Sequence, residues 1–396
     1  MAKSFEAVVV GGAGHVGAPL AILLANRGVR TLVHDINDAS LKVLASGKLP
    51  FFEEDGESLL GEAIAADMIG FSSRPSDIEG IPYIIVTIGT PVDEFHNPVL
   101  RVITDCIDSL IPYLSDRQTI ILRSTVFPGV TEFLQRHLAK RGKRTRLAFC
   151  PERVVQGQAI RESVTLPQIV SGTTPEAEKS AVALFSRFAP KIVTLPPKEA
   201  EFAKLFCNAY RYIQFAAANQ FYMMAESAGL DFGRLLSAIK QDYPRMRDLP
   251  GPGFAAGPCL FKDTLQLVAF AENQFPLGSE AIHINEGLPA FIVSQLREHH
   301  ALAEKTVGLL GMSFKAESDD IRASLSYKLK KLLRFHAKEV LTTDPFVTDD
   351  PELSPLATVV ERSDVLVLCV PHKVYRTADL GGKPVFDIWK STKGAS

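Results

Sequence analysis

The chain has 396 residues, 46% hydrophobic and 22% charged, with 43 Lys and Arg against 45 Asp and Glu for a formal net charge of -2. That length exceeds one ordinary core and predicts two or three domains. The charge balance excludes whole-chain attraction to nucleic acid or a membrane surface, so an anionic substrate needs a local basic site. No apolar run reaches the roughly 18 residues of a membrane span. The opening MAKSFEAVVVGGAG lacks a signal-peptide pattern, which predicts a cytoplasmic protein. The five cysteines are widely spread and without CxxC spacing, which argues for free thiols rather than disulfides or a zinc site.

In chain order, Ala7 to Val10 predict a strand that runs into GGAGHVG. A helix over Ala18 to Asn26 follows, stopped by Gly28, and then a strand over Thr31 to Val33 ending at Asp35. This is a dinucleotide-binding unit. Gly12 allows the turn, Gly14 lets the backbone approach a pyrophosphate, Gly17 lets the helix pack on the strand, and Val16 lies at the helix start, whose N–H groups and dipole hold phosphate. Asp35 stands where a carboxylate accepts ribose hydroxyls and repels a 2′-phosphate, so the cofactor is NAD rather than NADP. The alternative for an isolated glycine pattern is an ordinary turn.

Further strands are predicted at Tyr83 to Ile88, Thr119 to Leu122 and Leu147 to Phe149, ending in GTP, RSTVFPG and CPER. Their carboxyl ends should gather at a ligand crevice and place Thr90, Ser124, Thr125 and Glu152 there. For the threonines the alternative is turn or cap chemistry, and for Glu152 a surface ion pair with Arg153.

After Pro196 and Pro197 a helix of about 30 residues is predicted, ending at Ser227 with Gly229 as its cap. Lys204, Asn208 and Arg211 share one face. Phe202, Leu205, Phe206, Tyr210, Ile213, Phe215, Phe221, Tyr222 and Met223 cover the others, so burial on several sides in a dimer core is expected. The polar row is either a structural network or a substrate site, and a lysine so placed needs a partner. Next, the Pro- and Gly-rich YPRMRDLPGPGFAAGPCLFKD marks a loop that approaches a ligand. Cys259 and Asp263 fall on one face of a helix beginning around Pro258. A thiol at a helix N-terminus beside Lys262 should react as thiolate. Cys106, Cys150, Cys207 and Cys369 read instead as small buried hydrophobes. Strands at Thr306 to Leu310, Val340 to Thr342, Val365 to Val370 and Val385 to Asp387 predict a second doubly wound domain. Gly308 and Gly311 lack the full glycine fingerprint, so Lys315, Arg322 and nearby amides are the candidates for holding a nucleotide diphosphate; a solvated charge run is the alternative for FKAESDDIR.

GAGHVG, GTP, STVFPG, PER, the Lys204/Asn208 helix, GPCLFKD and GMSFKAESDDIR together resemble the UDP-glucose/GDP-mannose dehydrogenase family in order and separation. The resemblance implies an α/β architecture with an N-terminal Rossmann-type NAD domain (1–197), a central long-helix dimerisation region (198–297) and a C-terminal Rossmann-like domain binding the nucleotide sugar (298–396). It implies a homodimer or higher homo-oligomer that oxidises a sugar C6 alcohol to a uronic acid, reducing two NAD. Cys259 looks like the nucleophile that forms a thiohemiacetal and then a thioester. Lys204 and Asn208 would stabilise oxyanions, and Asp263, Thr125 and Glu152 would position or deprotonate water. By the same resemblance Lys262 and Arg322 approach NAD, Lys315 the nucleotide sugar, and Arg245 the partner subunit's substrate. The chain departs from the family in GFAAG before Cys259, where GFGG or GVGG is usual, and in Gln156, where UDP-glucose enzymes tend to carry Glu. PERV and YPRMRDLPGPG look like the UDP-N-acetylhexosamine branch, while CLFKD looks like the UDP-glucose branch. The rivals are a single-step β-hydroxyacid dehydrogenase of the 3-hydroxyisobutyrate or 6-phosphogluconate type, and a relative that binds nucleotides without catalysis.

Overall fold

A computed structural model describes residues 4–93, 98–255, 257 and 259–390 of the chain. Two compact units divide it, Met1–Cys207 and Asn208–Ser396. The first contains β1 (Ala7–Val10), α1 (Gly17–Asn26), β2 (Thr31–His34), α2 (Asp38–Ala45), α3 (Gly56–Ala65), β3 (Ile69–Ser72), β4 (Tyr83–Val86), α4 (Leu100–Leu110), β5 (Thr119–Leu122), α5 (Val130–Lys140), β6 (Arg146–Phe149), α6 (Ala159–Ser163), β7 (Gln168–Gly172), α7 (Pro175–Phe185), β8 (Ile192–Thr194) and the start of α8 (Pro197–Ser227). The strands form one sheet in the order β3-β2-β1-β4-β5-β6-β7-β8, in which only the β6–β7 pair is antiparallel.

AVVV, YIIV and TIIL are unbroken apolar runs because both faces of this sheet are covered by helices. Side chains alternate across it. Val9, Ile85 and Ile121 pack with the apolar face of α1, whereas Val8, Val10, Ile84 and Ile120 pack with Ile103 and Ile107 of α4 and Leu134 and Leu138 of α5. The strands β3, β7 and β8 are not singled out by sequence. Ile69–Ser72 contains glycine and serine, β7 pairs in the antiparallel sense, and β8 has 3 residues.

The predicted long helix is present with 31 residues, and Gly229 follows it at φ +69° with its N–H on the Glu226 carbonyl. Within the single chain it is buried on part of its circumference. Leu205, Tyr212 and Tyr222 are buried, but Phe206 (57%), Tyr210 (62%), Phe221 (47%) and Met224 (62%) are exposed along one stripe of the helix. Cys207 and Arg211 are exposed as well, because they lie on the flank of the buried row rather than in it. Of the four cysteines expected inside, Cys150 and Cys369 are buried and Cys106 is half-buried.

The second unit continues α8 and adds α9 (Phe232–Lys240), α10 (Leu260–Phe270), α11 (Pro276–His299), β9 (Thr306–Leu310), α12 (Leu325–Leu333), β10 (Glu339–Thr343), α13 (Leu356–Arg362), β11 (Val365–Leu368) and β12 (Val385–Asp387). Its sheet is parallel in the order β10-β9-β11-β12. Pro258, expected near the start of α10, and Ala256 of GFAAG lie outside the described residues.

At the carboxyl end of this sheet Asp344 accepts from the backbone N–H of Met312, Ser313, Phe346 and Val347 and from His372 Nε2 at 3.1 Å. Burial pushes its carboxyl up, but the hydrogen bonds, that from His372 foremost, outweigh it and hold the pKa at about 2, below the ordinary 3.8. An acid so depressed contributes stability that is full above pH 4 and lost as pH falls from about 4 towards 2, worth about 2 kcal/mol. Asp344→Asn should therefore lower stability at neutral pH by at least that much. It should also flatten the fall between pH 4 and 2, both read from urea unfolding across a pH series.

Candidate functional site

The glycine loop between β1 and α1 is shaped as a phosphate cradle, although its left-handed residue is Gly11 at φ +74° and not Gly12. Gly12 is needed for room, since a Cβ there would lie 2.5 Å from the Val9 carbonyl oxygen. At Gly17 a Cβ would meet Gly11 O and Gly12 Cα at 2.6 Å, which fixes the close helix–strand approach. Gly14 meets nothing nearer than 3.6 Å, so its face is open to a ligand. The α1 N-terminus starts after Val16 with no side-chain cap and no acidic residue in its first turn; Ala18 N bonds the Gly14 carbonyl at 3.0 Å and Pro19 has no N–H, so the positive helix end rather than a full set of amides is what it offers an anion. Asp35 Oδ2 accepts from Ala13 N at 3.0 Å and Oδ1 from Asn37 N at 3.0 Å, orienting a carboxylate with acceptor capacity to spare. These residues fit NAD: open backbone for the pyrophosphate, a positive helix end, and an acid for the ribose.

The neighbouring strand ends supply Thr90, Ser124, Thr125 and Glu152. Thr90 Oγ1 donates to the Thr125 carbonyl at 2.6 Å and Ser124 Oγ to the Ile88 carbonyl at 2.5 Å, so these hydroxyls tie adjacent loops together. Glu152 is paired with Arg123 rather than with the Arg153 side chain, which bonds the Pro167 carbonyl. Arg123 is 1% exposed and also donates to Cys150 O and Gln168 Oε1. The other Glu152 oxygen accepts from Arg153 N and Val154 N. Arg123 was missed by sequence because its partner lies 29 residues away; its position just after an apolar strand was the available signal.

On α8, Lys204 and Asn208 are 8% and 6% exposed and one turn apart. Asn208 Nδ2 donates to Asp263 Oδ2 at 2.6 Å. Asp263 is fully buried on α10, one turn after Cys259, and its N–H bonds the Cys259 carbonyl at 2.9 Å. Its Oδ1 has no hydrogen-bond donor and lies 3.8 Å from Lys262 Nζ, which leaves an acceptor available to a water or hydroxyl. Cys259 is exposed at the first position before α10. Arg322 is held in a fork on Asp320 (2.6 to 3.1 Å), and this pairing, with the charge of Cys259 among the smaller contributions, raises its pKa. Lys315 lies in the loop after β9, where its carbonyl accepts from Ser313 Oγ and where Glu317 N donates to His372 Nδ1 at 3.0 Å. His372 thus has its proton on Nε2, towards Asp344, and pins the Lys315 loop; sequence gave no sign of this pairing across 55 residues. Arg245 is exposed beside Tyr243 and joins none of these residues within its own unit. Among the described residues no cluster of His, Cys, Asp and Glu could hold a metal ion, and no helix is long and apolar enough to cross a membrane.

Three domain models of one family match the chain in order: the UDP-glucose/GDP-mannose dehydrogenase NAD binding domain over residues 6–189, the central domain over 198–287 and the UDP binding domain over 308–393. The chain belongs to the UDP-glucose/GDP-mannose dehydrogenase family. It is similar to UDP-N-acetyl-D-mannosamine dehydrogenase of Pyrococcus horikoshii, 29% identical over 384 residues covering 94% of this chain and 91% of that protein. NDP-N-acetyl-D-galactosaminuronic acid dehydrogenase of Ralstonia nicotianae is 27% identical over 397 residues, 95% of this chain and 93% of the other. The solved structure of the Pyrococcus horikoshii UDP-D-ManNAc dehydrogenase superposes with a TM-score of 0.90 at 27% identity, covering 98% of this chain and 96% of that one. As a family member the chain is an oxidoreductase that uses NAD and takes a nucleotide-sugar substrate.

The Asp35 carboxylate then has a measurable consequence. Asp35→Asn keeps an acceptor for Ala13 N but removes the charge that repels a 2′-phosphate. Its preference for NADH over NADPH should narrow by about tenfold or more, the effect of a single charge in a binding site, as read by titration with both reduced dinucleotides.

Proposed function

We propose that this enzyme carries a nucleotide sugar through two successive oxidations at C6, from alcohol to uronic acid, and that the sugar is a UDP-N-acetylhexosamine. The supporting observation is the Asn208–Asp263 hydrogen bond one helical turn beyond Cys259, in a chain that also carries the family's NAD and UDP binding domains. A single-step hydroxyacid dehydrogenase has no use for a thiol or for a UDP binding domain. Both similar proteins described above are named for N-acetylated sugars, in line with PERV and YPRMRDLPGPG in this sequence.

Bound NAD, held by Gly12, Gly14, Val16, Gly17, Asp35 and Thr90, supplies the hydride acceptor, once for each oxidation. The remaining chemistry falls to the chain. In the first oxidation the C6 hydroxyl loses its proton to a base and C6 loses hydride, leaving an aldehyde. The Cys259 sulfur, favoured as thiolate by its place at the α10 N-terminus, then adds to the carbonyl carbon. This thiohemiacetal keeps the aldehyde from escaping. Lys204 and the Asn208 amide stabilise the oxyanion, and removing one such donor costs roughly 3 kcal/mol. Loss of the second hydride gives a thioester, and water attacks it, with Asp263 Oδ1 accepting its proton and Thr125 and Glu152 orienting it. The Cys259 thiolate leaves, and a carboxylate is released. Lys262 and Arg322 assist at the cofactor, and Lys315 holds the nucleotide diphosphate. Wild type should produce two NADH per sugar consumed across a panel of UDP-N-acetylmannosamine, UDP-N-acetylglucosamine, UDP-glucose and GDP-mannose, with turnover largely lost in Cys259→Ser. One NADH per sugar, or a serine variant as active as wild type, would refute the covalent route.

The active unit is a homodimer in this reading, with α8 as its seam and Arg245 serving the partner's substrate. Four large apolar side chains exposed on one helix stripe are costly to leave in water, at about 25 cal/mol per Å². A second copy of the same stripe covers them by two-fold symmetry. Tyr210→Asp combined with Met224→Asp should sediment as a monomer where the wild type sediments as a dimer.

A further inference from the structure

Asn219 stands three turns beyond Asn208 on α8 and continues its buried face, although it touches neither Asp263 nor Cys259 in any hydrogen bond of the structure. It is fully buried. Its side-chain amide pairs with one residue at both ends: Nδ2 donates to Gly253 O at 3.0 Å and Oδ1 accepts from Gly253 N at 2.9 Å. Nδ2 also donates to Asn285 Oδ1 at 2.9 Å, and Asn285 Nδ2 donates to the Tyr212 carbonyl at 3.1 Å, so α11 orients the amide from behind. Gly253 opens the loop that leads to Cys259. Its other face is closed by an indole, since a Cβ at Gly253 would lie 2.4 Å from Trp389 Cε3. Trp389 is itself fixed by Nε1 donating to Cys369 O at 2.7 Å. Beyond Gly253, Phe254 and Ala255 are 3% and 4% exposed and enter two different apolar clusters.

We infer that Asn219 is a positioning residue for Cys259, acting through Gly253: its amide clamp against Trp389 sets where the nucleophile's loop starts. The inference rests on the reading of Cys259 as nucleophile. A two-point amide pair is a register device. It fixes both translation and rotation of the Gly253 peptide, which a single hydrogen bond or an apolar contact does not. The neighbouring contacts are satisfied within the clamp, so its geometry is set before any substrate arrives.

The test uses the full-length enzyme and three readouts. Iodoacetamide alkylation of Cys259 is followed by peptide mass spectrometry against exposed Cys207 in the same molecule. Emission of Trp389, the only tryptophan among 396 residues, reports the loop directly. NADH formation gives kcat and KM. Asn219→Asp keeps size and the acceptor for Gly253 N but sets a second oxygen against Gly253 O and Asn285 Oδ1. It should shift Trp389 emission, change the Cys259-to-Cys207 alkylation ratio and its pH profile, and lower kcat about 100-fold with KM within about twofold, the scale of a misplaced catalytic group. Asn285→Ala, which only loosens the clamp, should move all three the same way by less. A folded Asn219→Asp with wild-type alkylation ratio and kcat would overturn the inference and leave Asn219 a structural residue. If that variant does not fold, Asn285→Ala with a lowered melting temperature but unchanged ratio and kcat overturns it equally. Full activity in Cys259→Ser would refute the nucleophile reading alone, because the alkylation and emission arms do not depend on turnover.

Discussion

The amides that follow a parallel strand at its carboxyl end have no further strand to bond, and a ligand loop must satisfy some of them while leaving others free. Both sheets meet this constraint with the same device. Gly11 after β1 donates to His34 O at 2.9 Å, and Gly311 after β9 donates to Thr343 O at 2.8 Å; both glycines have positive φ. The next residue of the adjacent strand is an aspartate, and it receives the loop: Asp35 takes Ala13 N, and Asp344 takes Met312 N and Ser313 N. The difference lies in what is left over. One Asp35 oxygen accepts a single protein donor, so it can still take a ribose hydroxyl. The corresponding Asp344 oxygen already accepts two amides and His372. It has become structural, which is why the second sheet, with the same loop geometry, has no ribose acid to offer.

Buried carboxylates fix the ligand-side loops elsewhere too. Glu201 of α8 takes Gly129 N, Thr131 N and Thr131 Oγ1 at the start of α5, and burial raises its pKa despite them. Glu152 is held by Arg123 and two amides. An ion taken out of water costs several kcal/mol unless donors replace the solvent, so each such acid has one geometry and transmits it to its loop. Asp263 is the exception among them. One of its oxygens is satisfied by Asn208 and the other is not, and a buried acceptor with that imbalance draws a water or hydroxyl donor strongly.

Local signals in the sequence read well because the interactions behind them are local. The strand, glycine turn, helix and acid of the first 35 residues lie at fixed spacings, and the long helix between Pro197 and Gly229 is bounded by residues that cannot continue it. Within the second unit Cys259 and Asp263 stand one turn apart as their spacing implied, whereas the Asn208–Asp263 hydrogen bond joins two helices and no spacing gave it. What sequence could not show depends on contacts between distant segments. Arg123 finds Glu152, and His372 reaches back to Glu317. Helix α8 is the instructive case: its apolar composition suggested burial all round, yet composition does not say which of its faces packs on the chain's own core, and the stripe from Phe206 to Met224 is exposed. Arg211, three residues beyond Asn208, lies on the same broad face but at its solvent edge, where a long cationic side chain reaches water.

The departure of GFAAG from the family pattern follows from where a side chain can be housed. Gly253 and Gly257 cannot accept one, because Trp389 and Phe314 rings lie at 2.4 and 2.6 Å from the position of a Cβ, and both have positive φ. Ala255 can. Its methyl packs in a cluster with Tyr212, Ala216 and Ala281, where the two small alanines of α8 and α11 leave it room. Burying one methyl there contributes about 0.8 kcal/mol and reduces the freedom of the unfolded loop relative to glycine. Glycine thus stands at 253 and 257, where an aromatic ring occupies the space, and alanine at 255, where the helices can pack on a side chain.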